Sequence, residues 1–501
     1  MATAPRAKRD LTEGPITRTL LLFSLPMLGG NALQSLNGTV NQIWVSHTLG
    51  ETAITALGNA NIVMMLMLGA IFGVGMAANI LIGQAVGRGD PALVKRVMGT
   101  ATGFFLVLSL IVALVGGLLA PHILALMGTP LEAQAGAIIY LRIIFASVPF
   151  MYFFMFLQMA QRGAGDSTTP FWFLALAILI DITLNPLLIR GLGPFPKMGI
   201  AGSATATLIG QGISLTCLIF HLYRKESVLT LRGRELRLLV PNRDILKSLV
   251  TRGLPMGLQM LVMSSAAVMM ISFVNRYGAL TSAAYSISQI IWGYLQMPVM
   301  AIGASASSMA AQNVGAGQWE RVDKIAGAGV ISGLVVTGVI ALFLYTFNDQ
   351  VLGVLLPGGS PAIPLARHIN TTVLWGFIFF SVTFALSGVV RSTGAVIAPL
   401  LILSFSMIVV RVGAAALMMP RFGADAIWWS FPLGSIASAA LTALYYQRGG
   451  WRKSRMLKDE SGSPQAVPNF STLYREGTPE RSEDTGGALS TPLQTGGPSP
   501  R

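Results

Sequence analysis

Long apolar runs recur along almost the whole chain and determine the class of fold. A helix needs about 20 mostly apolar residues to cross the hydrocarbon core of a bilayer. The chain is 53% hydrophobic and only 11% charged, with a mean hydropathy of +0.65, so it is a polytopic membrane protein by composition. The runs predict an all-α protein with twelve spans, at 17–44, 59–83, 98–120, 134–158, 170–190, 200–223, 248–273, 282–308, 326–348, 364–387, 397–418 and 426–447.

The distribution of basic residues predicts the orientation. A formal net charge of +14 could indicate a nucleic-acid binder. However, Lys and Arg cluster in the tails and in short segments between apolar runs, which is typical of membrane topology. The segments 87–96, 223–247 and 320–324 carry most of the loop Lys and Arg. The positive-inside rule therefore places both termini in the cytoplasm, and we expect no nucleic-acid partner.

Three motifs of the first half recur in the second half and indicate a duplication. The offsets between the copies are 229, 228 and 229 residues. A unit of six spans keeps its orientation when it is repeated, so we predict two six-helix bundles related by a pseudo-two-fold axis along the membrane normal. The paired motifs are "SLPM" (24–27) and "GLPM" (253–256), "GQAVGRGDPALVKRV" (83–97) and "AQNVGAGQWERVDKI" (311–325), and "RGAGDSTTP" (162–170) and "RSTGAVIAP" (391–399).

The domain organisation follows from these spans and their spacing. We predict a cytoplasmic N-terminal tail over 1–16, an N-terminal six-helix bundle over 17–223, a basic cytoplasmic linker over 224–247 and a C-terminal bundle over 248–447. The last part, 448–501, is rich in Ser, Pro, Gly and Thr, and we expect a disordered cytoplasmic tail.

A polar interruption in the fifth span marks a candidate functional site. The stretch "ILIDITLNPLLI" places Asp181 about ten residues into its span, about 15 Å deep. A charge at that depth costs at least about 2.5–3.5 kcal/mol, so it should face the bundle interior and have a partner. Asn185 lies one turn further on the same face, and Pro186 frees the carbonyl of Ile182. This set of oxygens suits a proton or a small cation such as Na⁺.

The second half lacks this polar set. A shift of 229 residues places Asp181 on Val410 and Asn185 on Ala414. The fold alone therefore does not require the carboxylate. Two interpretations remain open, a site for a coupling ion and a structural polar anchor between helices.

At these residues the chain resembles the multidrug and toxic compound extrusion (MATE) transporters, from about residue 15 to residue 447. The matching motifs are "LP" in spans 1 and 7, "GQAVGRGD" with its echo "AQNVGAG", "RGAGDSTTP" before span 5, "NPLLI" closing span 5, and "GIAGSATAT" opening span 6. The resemblance implies secondary antiport across the bacterial inner membrane by alternating access. Inward flow of H⁺ or Na⁺ would drive an organic, often cationic, compound outward.

The resemblance also implies where the coupling ion binds. Carried over by position, the family's cation site falls on Asp181 and Asn185 in span 5, on Thr207 in span 6, and on Asn41 or Gln42 in span 1. The order of Asp and Asn in span 5 is reversed relative to the family, and span 1 has no acid. With Asp181 as the only deep carboxylate, we expect one proton or one Na⁺ per cycle, with H⁺ slightly favoured. We expect no other metal.

Candidate substrate contacts lie in the second half. Met and aromatic side chains can line an adaptable pocket for apolar cations. On this basis we select Gln259 and Met260 in span 7, Gln289 and Trp292 in span 8, and Arg411 in span 11. The alternatives are ordinary core or lipid-facing surface for the Met and aromatic stripe, and snorkelling of Arg411 to the outer end of its helix.

Two other functions compete with antiport. A flippase for lipid-linked precursors, on a related architecture, would have 14 spans or several basic residues in its cavity. A membrane enzyme would have acids, histidines or nucleophiles clustered at one membrane face. The sequence shows neither pattern. We therefore expect a non-enzymatic, monomeric transporter in membrane lipid, which handles small organic cations or amphiphilic drugs and needs no cofactor beyond the coupling ion.

Overall fold

The computed structural model describes residues 11–49, 51–356 and 360–457, and every regular element in them is helical. The first half contains α1 (Ile16–Leu49), α2 (Glu51–Gly87), α3 (Pro91–Leu126), α4 (Leu131–Gly163), α5 (Thr168–Arg190) and α6 (Ile200–Arg224). The second half contains α7 (Arg243–Val274), α8 (Ala279–Gly315), α9 (Trp319–Thr346), α10 (Asn348–Leu355), α11 (Ala362–Val373), α12 (Gly376–Arg391), α13 (Ile397–Ser404), a π-helical segment (Phe405–Val412), α14 (Gly413–Phe422) and α15 (Asp425–Gln447).

Apart from the short helix α10, the helices account for the twelve predicted spans. The pair α11–α12 supplies one span, and α13, the π-helical segment and α14 together supply another. In the described residues, nine helices are long and apolar enough to cross a membrane, or ten if the α11–α12 pair, bent by 45°, is one span. The remaining two, α1 and α8, are long but less apolar, because Asn, Gln, Ser and Gly are frequent along them.

Two predicted spans are less regular than the apolar pattern indicated. The span predicted at 364–387 is broken between α11 and α12, at Leu374 and Trp375. The span predicted at 397–418 contains the π-helical segment. Both irregularities keep the chain apolar, so hydropathy does not reveal them.

Close contact between α5 and α6 positions the polar residues of the first half. A Cβ atom at Gly210 would lie 2.8 Å from the carbonyl oxygen of Ala177, and one at Gly202 would lie 2.7 Å from that of Leu188. Side chains at these positions would force the helices apart. The "GIAGSATAT" motif thus brings the start of α6 directly against α5.

The two halves meet near the end of the molecule at which α1 begins and α15 ends, which we call the terminal face. Arg321 of α9 donates to the carbonyl of Gly14, and Tyr446 at the end of α15 donates to Asp323 of α9. These contacts place both ends of the helical chain on this face. The other end of the molecule is called the opposite face below.

A symmetric set of contacts joins the halves at the terminal face. The Gln84 amide donates to the Ser392 carbonyl at 2.6 Å, and the Gln312 amide donates to the Gly163 carbonyl at 2.8 Å. The two bonds are equivalent, because Gln84 corresponds to Gln312 and Gly163 corresponds to Ser392 in the repeat. A Cβ at Gly83 would lie 3.0 Å from the Cβ of its repeat equivalent, Ala311. The pseudo-two-fold axis therefore passes between α2 and α8.

The segment after α15 is more ordered than predicted. We expected disorder from residue 448, but residues 448–457 pack on the terminal face, and Trp451 and Met456 are buried. Thr393 donates to the carbonyl of Trp451, and Ser248 donates to that of Met456. These apolar side chains and bonds outweigh the polar composition of the segment. The rest of the predicted tail, 458–501, lies outside the described residues, as do residues 1–10 of the N-terminal tail.

The basic linker between the halves packs against α3. Its short 3₁₀ helix, Gly233–Leu239, lies so close that a Cβ at Gly99 would meet the carbonyl oxygen of Leu238 at 2.5 Å. Lys95 of α3 forms a salt bridge with Glu235 of the linker. The hydrogen bond that Lys95 donates to the Glu235 carboxylate, together with one from the backbone N–H of Arg232, lowers the pKa of Glu235 below its usual value.

Gly87→Ala and Gly315→Ala should each open the terminal face. The new Cβ would lie 1.9 Å from the Gln312 carbonyl oxygen in the first variant and 2.1 Å from the Gln84 carbonyl oxygen in the second. Overpacking of about 1–3 kcal/mol would raise the open population about 5- to 150-fold. The measurement is the maleimide labelling rate of Ser308→Cys in a Cys217→Ser background, because Ser308 is buried where α8 contacts Asn79 of α2.

The control is Gly117→Ala on α3, where an added Cβ meets no atom within 4 Å. It should leave the labelling rate unchanged. Equal labelling rates in the parent, Gly87→Ala and Gly315→Ala would show that these glycines do not keep the terminal face closed.

Candidate cation site

Asp181 lies in the interior of the first half and is only 3% exposed. Its Oδ2 accepts hydrogen bonds from the amides of Asn37 and Asn41 on α1, at 2.8 and 2.9 Å. Its Oδ1 accepts a hydrogen bond from the hydroxyl of Thr207 on α6, at 3.0 Å. The carboxylate therefore joins three helices, and it has the polar partners that its depth requires.

Asn185 extends this network by one helical turn and is fully buried. Its amide donates to Oδ1 of Asn41 at 2.5 Å and to Oγ of Ser203 at 3.3 Å. Asn41 thus accepts from Asn185 while it donates to Asp181. All four residues selected from the sequence, Asp181, Asn185, Asn41 and Thr207, lie in one network.

Three members of the site were missed in the sequence. Asn37 and Ser203 each lie one turn before a selected residue, Asn41 and Thr207, so the i, i+4 spacing could have revealed them. Tyr140 of α4 is buried close enough to Asp181 to interact with it electrostatically. It lies on a helix whose sequence gives no comparable signal, so only the packing reveals it.

The free groups at this site are hydrogen-bond acceptors. Oδ1 of Asn37 and Oδ1 of Asn185 are buried and have no hydrogen-bond partner. Oxygen atoms are the ligands that hard cations prefer. One carboxylate balances one positive charge, and the described residues contain no group of three or more His, Cys, Asp or Glu that could hold a metal ion. The donor set thus fits a proton or a monovalent cation.

The selected residues of the second half do not form a single cluster. Gln259 is buried and accepts a hydrogen bond from Arg391 at 3.0 Å. Met260 and Gln289 are half-buried. Trp292 and Arg411 both contact Phe431. The Trp292 ring stacks on Phe431 with centroids 6.3 Å apart.

Arg411 points into the second half and does not snorkel. Its guanidinium carbon lies 4.8 Å from the centroid of the Phe431 ring, and its Nη1 lies 3.8 Å from the sulfur of Met407. Its Nε is buried without a hydrogen-bond partner. The cation-π contact replaces part of the hydration that an exposed guanidinium would have.

A comparison with protein families identifies the chain. The family model described as MatE matches residues 26–187 and 255–417, once in each half. The chain therefore belongs to the MatE family. The two matches also confirm the predicted duplication.

Individual relatives agree with this membership. The chain is 30% identical over 456 residues to the "Probable multidrug resistance protein YoeA" of Bacillus subtilis. This alignment covers 91% of this chain and 98% of the relative. It is 24% identical over 440 residues to the "Multidrug export protein MepA" of Staphylococcus aureus. That alignment covers 87% of this chain and 95% of the relative. The family is one of multi-pass multidrug efflux transporters.

Solved structures confirm the predicted fold. One, described as "Outward-facing conformation of a multidrug resistance MATE family transporter of the MOP superfamily", matches with a TM-score of 0.81 and 22% identity. The match covers 89% of this chain and 98% of that chain. The fold is thus twelve membrane helices in two six-helix bundles, called below the first and the second bundle.

Asn41→Ala should lower the stability of the first bundle, because it removes two hydrogen bonds of the network at once. The change removes one donor to Asp181 and the main acceptor for the buried amide of Asn185. A buried polar group left without its partner costs about 1–3 kcal/mol. The midpoint of thermal unfolding in detergent should therefore fall.

Thr39→Ala is the matched control on the same helix. Thr39 is exposed, and its hydroxyl donates to the carbonyl of Ser35 one turn before. Its unfolding midpoint should stay at the parent value. If the two variants unfolded at the same temperature, the network around Asp181 would not stabilise the first bundle.

Proposed function

We propose that this chain is a secondary active antiporter that exports organic, cationic compounds across the bacterial inner membrane in exchange for H⁺ or Na⁺. The observation that carries the proposal is the buried Asp181 carboxylate, held by donors from α1 and α6. Membership of a multidrug efflux family supports export. The transport cycle includes no catalytic step, and the only cofactor is the coupling ion.

The geometry supports a direct role for Asp181 in coupling. The ionised carboxylate ties α1 to α5, because both amides from α1 donate to the same oxygen, Oδ2. A proton on Oδ2 would remove the charge and occupy a position where Asn37 or Asn41 donates. A bound Na⁺ would instead draw on the free oxygens of Asn37 and Asn185. In either case the contacts of α1 change when the ion binds.

Helix α1 can pass this change to the interface between the bundles. Nearer the terminal face, the sulfur of Met27 on α1 accepts a hydrogen bond from Ser305 on α8, at 3.3 Å. The same helix therefore contacts the ion site and the second bundle. A shift of α1 on ion binding would weaken or strengthen the closed terminal face, as alternating access requires.

Charge supports the orientation in this proposal. The basic loop after α2, the basic linker and the start of α9 all lie on the terminal face, so the positive-inside rule assigns this face to the cytoplasm. Both termini are then cytoplasmic, and the contacts between α2 and α8 at the terminal face close the transporter towards the cytoplasm. We further propose that it works as a monomer surrounded by lipid and that it handles amphiphilic drugs.

Asp181→Asn should abolish gradient-driven transport. The amide cannot release a proton or balance the charge of Na⁺, although it keeps the shape of the site. The measurement is accumulation of ethidium, a fluorescent organic cation, in everted membrane vesicles at equal expression. A pH gradient and a Na⁺ gradient are imposed separately, so that the active gradient in the parent identifies the coupling ion.

The matched control is Asp349→Asn, which removes an exposed acid that forms a salt bridge with Arg367 at 2.5 Å in the second bundle. This variant should accumulate ethidium like the parent, whereas Asp181→Asn should fall to the level of vesicles without the protein. Gradient-driven accumulation that persists in Asp181→Asn would return Asp181 to the role of a structural anchor.

A further inference from the structure

The repeat places Arg411 where the first bundle has Asp181. A Cβ at Gly210 of α6 would lie 3.4 Å from the backbone nitrogen of Asp181, and one at Gly434 of α15 would lie 3.0 Å from the Cβ of Arg411. Asp181 and Arg411 are 230 residues apart, whereas the motifs before α5 and α13 are 229 apart. The π-helical segment, Phe405–Val412, accounts for the extra residue, because a π-helical turn holds more residues than an α-helical turn. The equivalent of Asp181 is therefore Arg411, and the sequence-based assignment to Val410 is wrong by one residue.

Three unpaired groups at and around Arg411 are hydrogen-bond donors that cannot accept. The indole nitrogens of Trp292 and Trp428 and the Nε of Arg411 are all buried without a partner. Each of them can only donate. Trp292 and Trp428 are 7% and 1% exposed. We call these three groups the donor cluster.

Tyr285 holds the donor cluster together. Its ring lies 5.4 Å from the ring of Trp292 and 5.7 Å from that of Trp428, measured between centroids. Its side chain also interacts with Arg411. The three donor-only groups thus surround one tyrosine in the interior of the second bundle.

The acids of the second bundle do not neutralise Arg411. In the described residues of this half, every acid lies in the first turns of a helix, near one of the two faces. Three of them have other partners, since Asp323 binds Arg452, Asp349 binds Arg367 and Asp425 contacts His368. These acids are Asp244, Glu320, Asp323, Asp349 and Asp425.

We propose that the donor cluster binds the anionic group of an organic ligand, a carboxylate or sulfonate on an aromatic or other apolar body. An anion would neutralise Arg411 and accept hydrogen bonds from the free N–H groups, which is the arrangement that a charge buried in a membrane requires. The rings of Tyr285, Trp292 and Phe431 would contact the apolar body.

The inference does not depend on the proposed function. It concerns binding in the second bundle, whereas antiport depends on Asp181 in the first. The ligand can also carry the positive charge that the proposed function assigns to exported compounds. Ethidium transport could fail while anion binding succeeds, and the reverse also holds.

The test is binding of 1-naphthoate and of its neutral analogue 1-naphthamide to the purified full chain in detergent, by calorimetry. The parent should bind the carboxylate at least about tenfold more tightly than the amide, as expected for charge-assisted hydrogen bonds at a buried site. Arg411→Gln should bind the two compounds alike. Trp292→Phe keeps a ring but loses the N–H group, so it should weaken binding of the carboxylate more than binding of the amide and thereby reduce the preference.

The control is Arg276→Gln, which removes an exposed arginine whose guanidinium carbon lies 5.5 Å from the Phe273 ring centroid. It should bind both compounds like the parent. Equal affinity of the parent for both compounds, or a full preference retained in Arg411→Gln, would overturn the proposal. If Arg411→Gln fails to fold, an undiminished preference in Trp292→Phe has the same meaning. If chloride bound to the parent as tightly as naphthoate in the same calorimetric measurement, the assignment to an organic ligand would be overturned.

Discussion

The buried carboxylate of Asp181 is the interaction on which the site depends. In the described residues no other acid lies in the middle of a membrane helix. A charge at this depth is tolerated only with polar partners, and α1 and α6 supply them within 3.0 Å. The glycines that bring α6 against α5 are therefore part of the site. Helix α1 also contacts the second bundle through Met27 and Ser305, so one helix links the carboxylate to the interface between the bundles.

The two bundles share a fold but differ in polarity. The contacts at the terminal face keep the symmetry of the repeat, with Gln84 and Gln312 in equivalent bonds. The two interiors break that symmetry. Two free acceptors, on Asn37 and Asn185, lie near Asp181, and free donors on Trp292 and Trp428 lie near Arg411. Under the two proposals made above, the two bundles bind ligand groups of opposite charge.

The sequence predicted the spans, the duplication, Asp181 and Asn185, because hydropathy and helical spacing depend on local pattern. The resemblance to the MATE transporters added Asn41 and Thr207. Asn37 and Ser203 had a usable signal in their i, i+4 spacing, whereas Tyr140 joins the site only through packing. The π-helical segment kept its apolar character, so it stayed hidden and shifted the equivalent of Asp181 from Val410 to Arg411. Composition also failed after α15, where the burial of Trp451 and Met456 outweighs a polar sequence.

Ion displacement by the exported compound tests the central claim most directly. Purified chain is mixed with ethidium, and released protons are followed with a pH indicator and bound Na⁺ with a radioactive tracer. The account predicts that the parent releases about one monovalent ion for each ethidium bound and that Asp181→Asn releases none while keeping its fold. Equal release from both proteins would show that the coupling ion binds elsewhere.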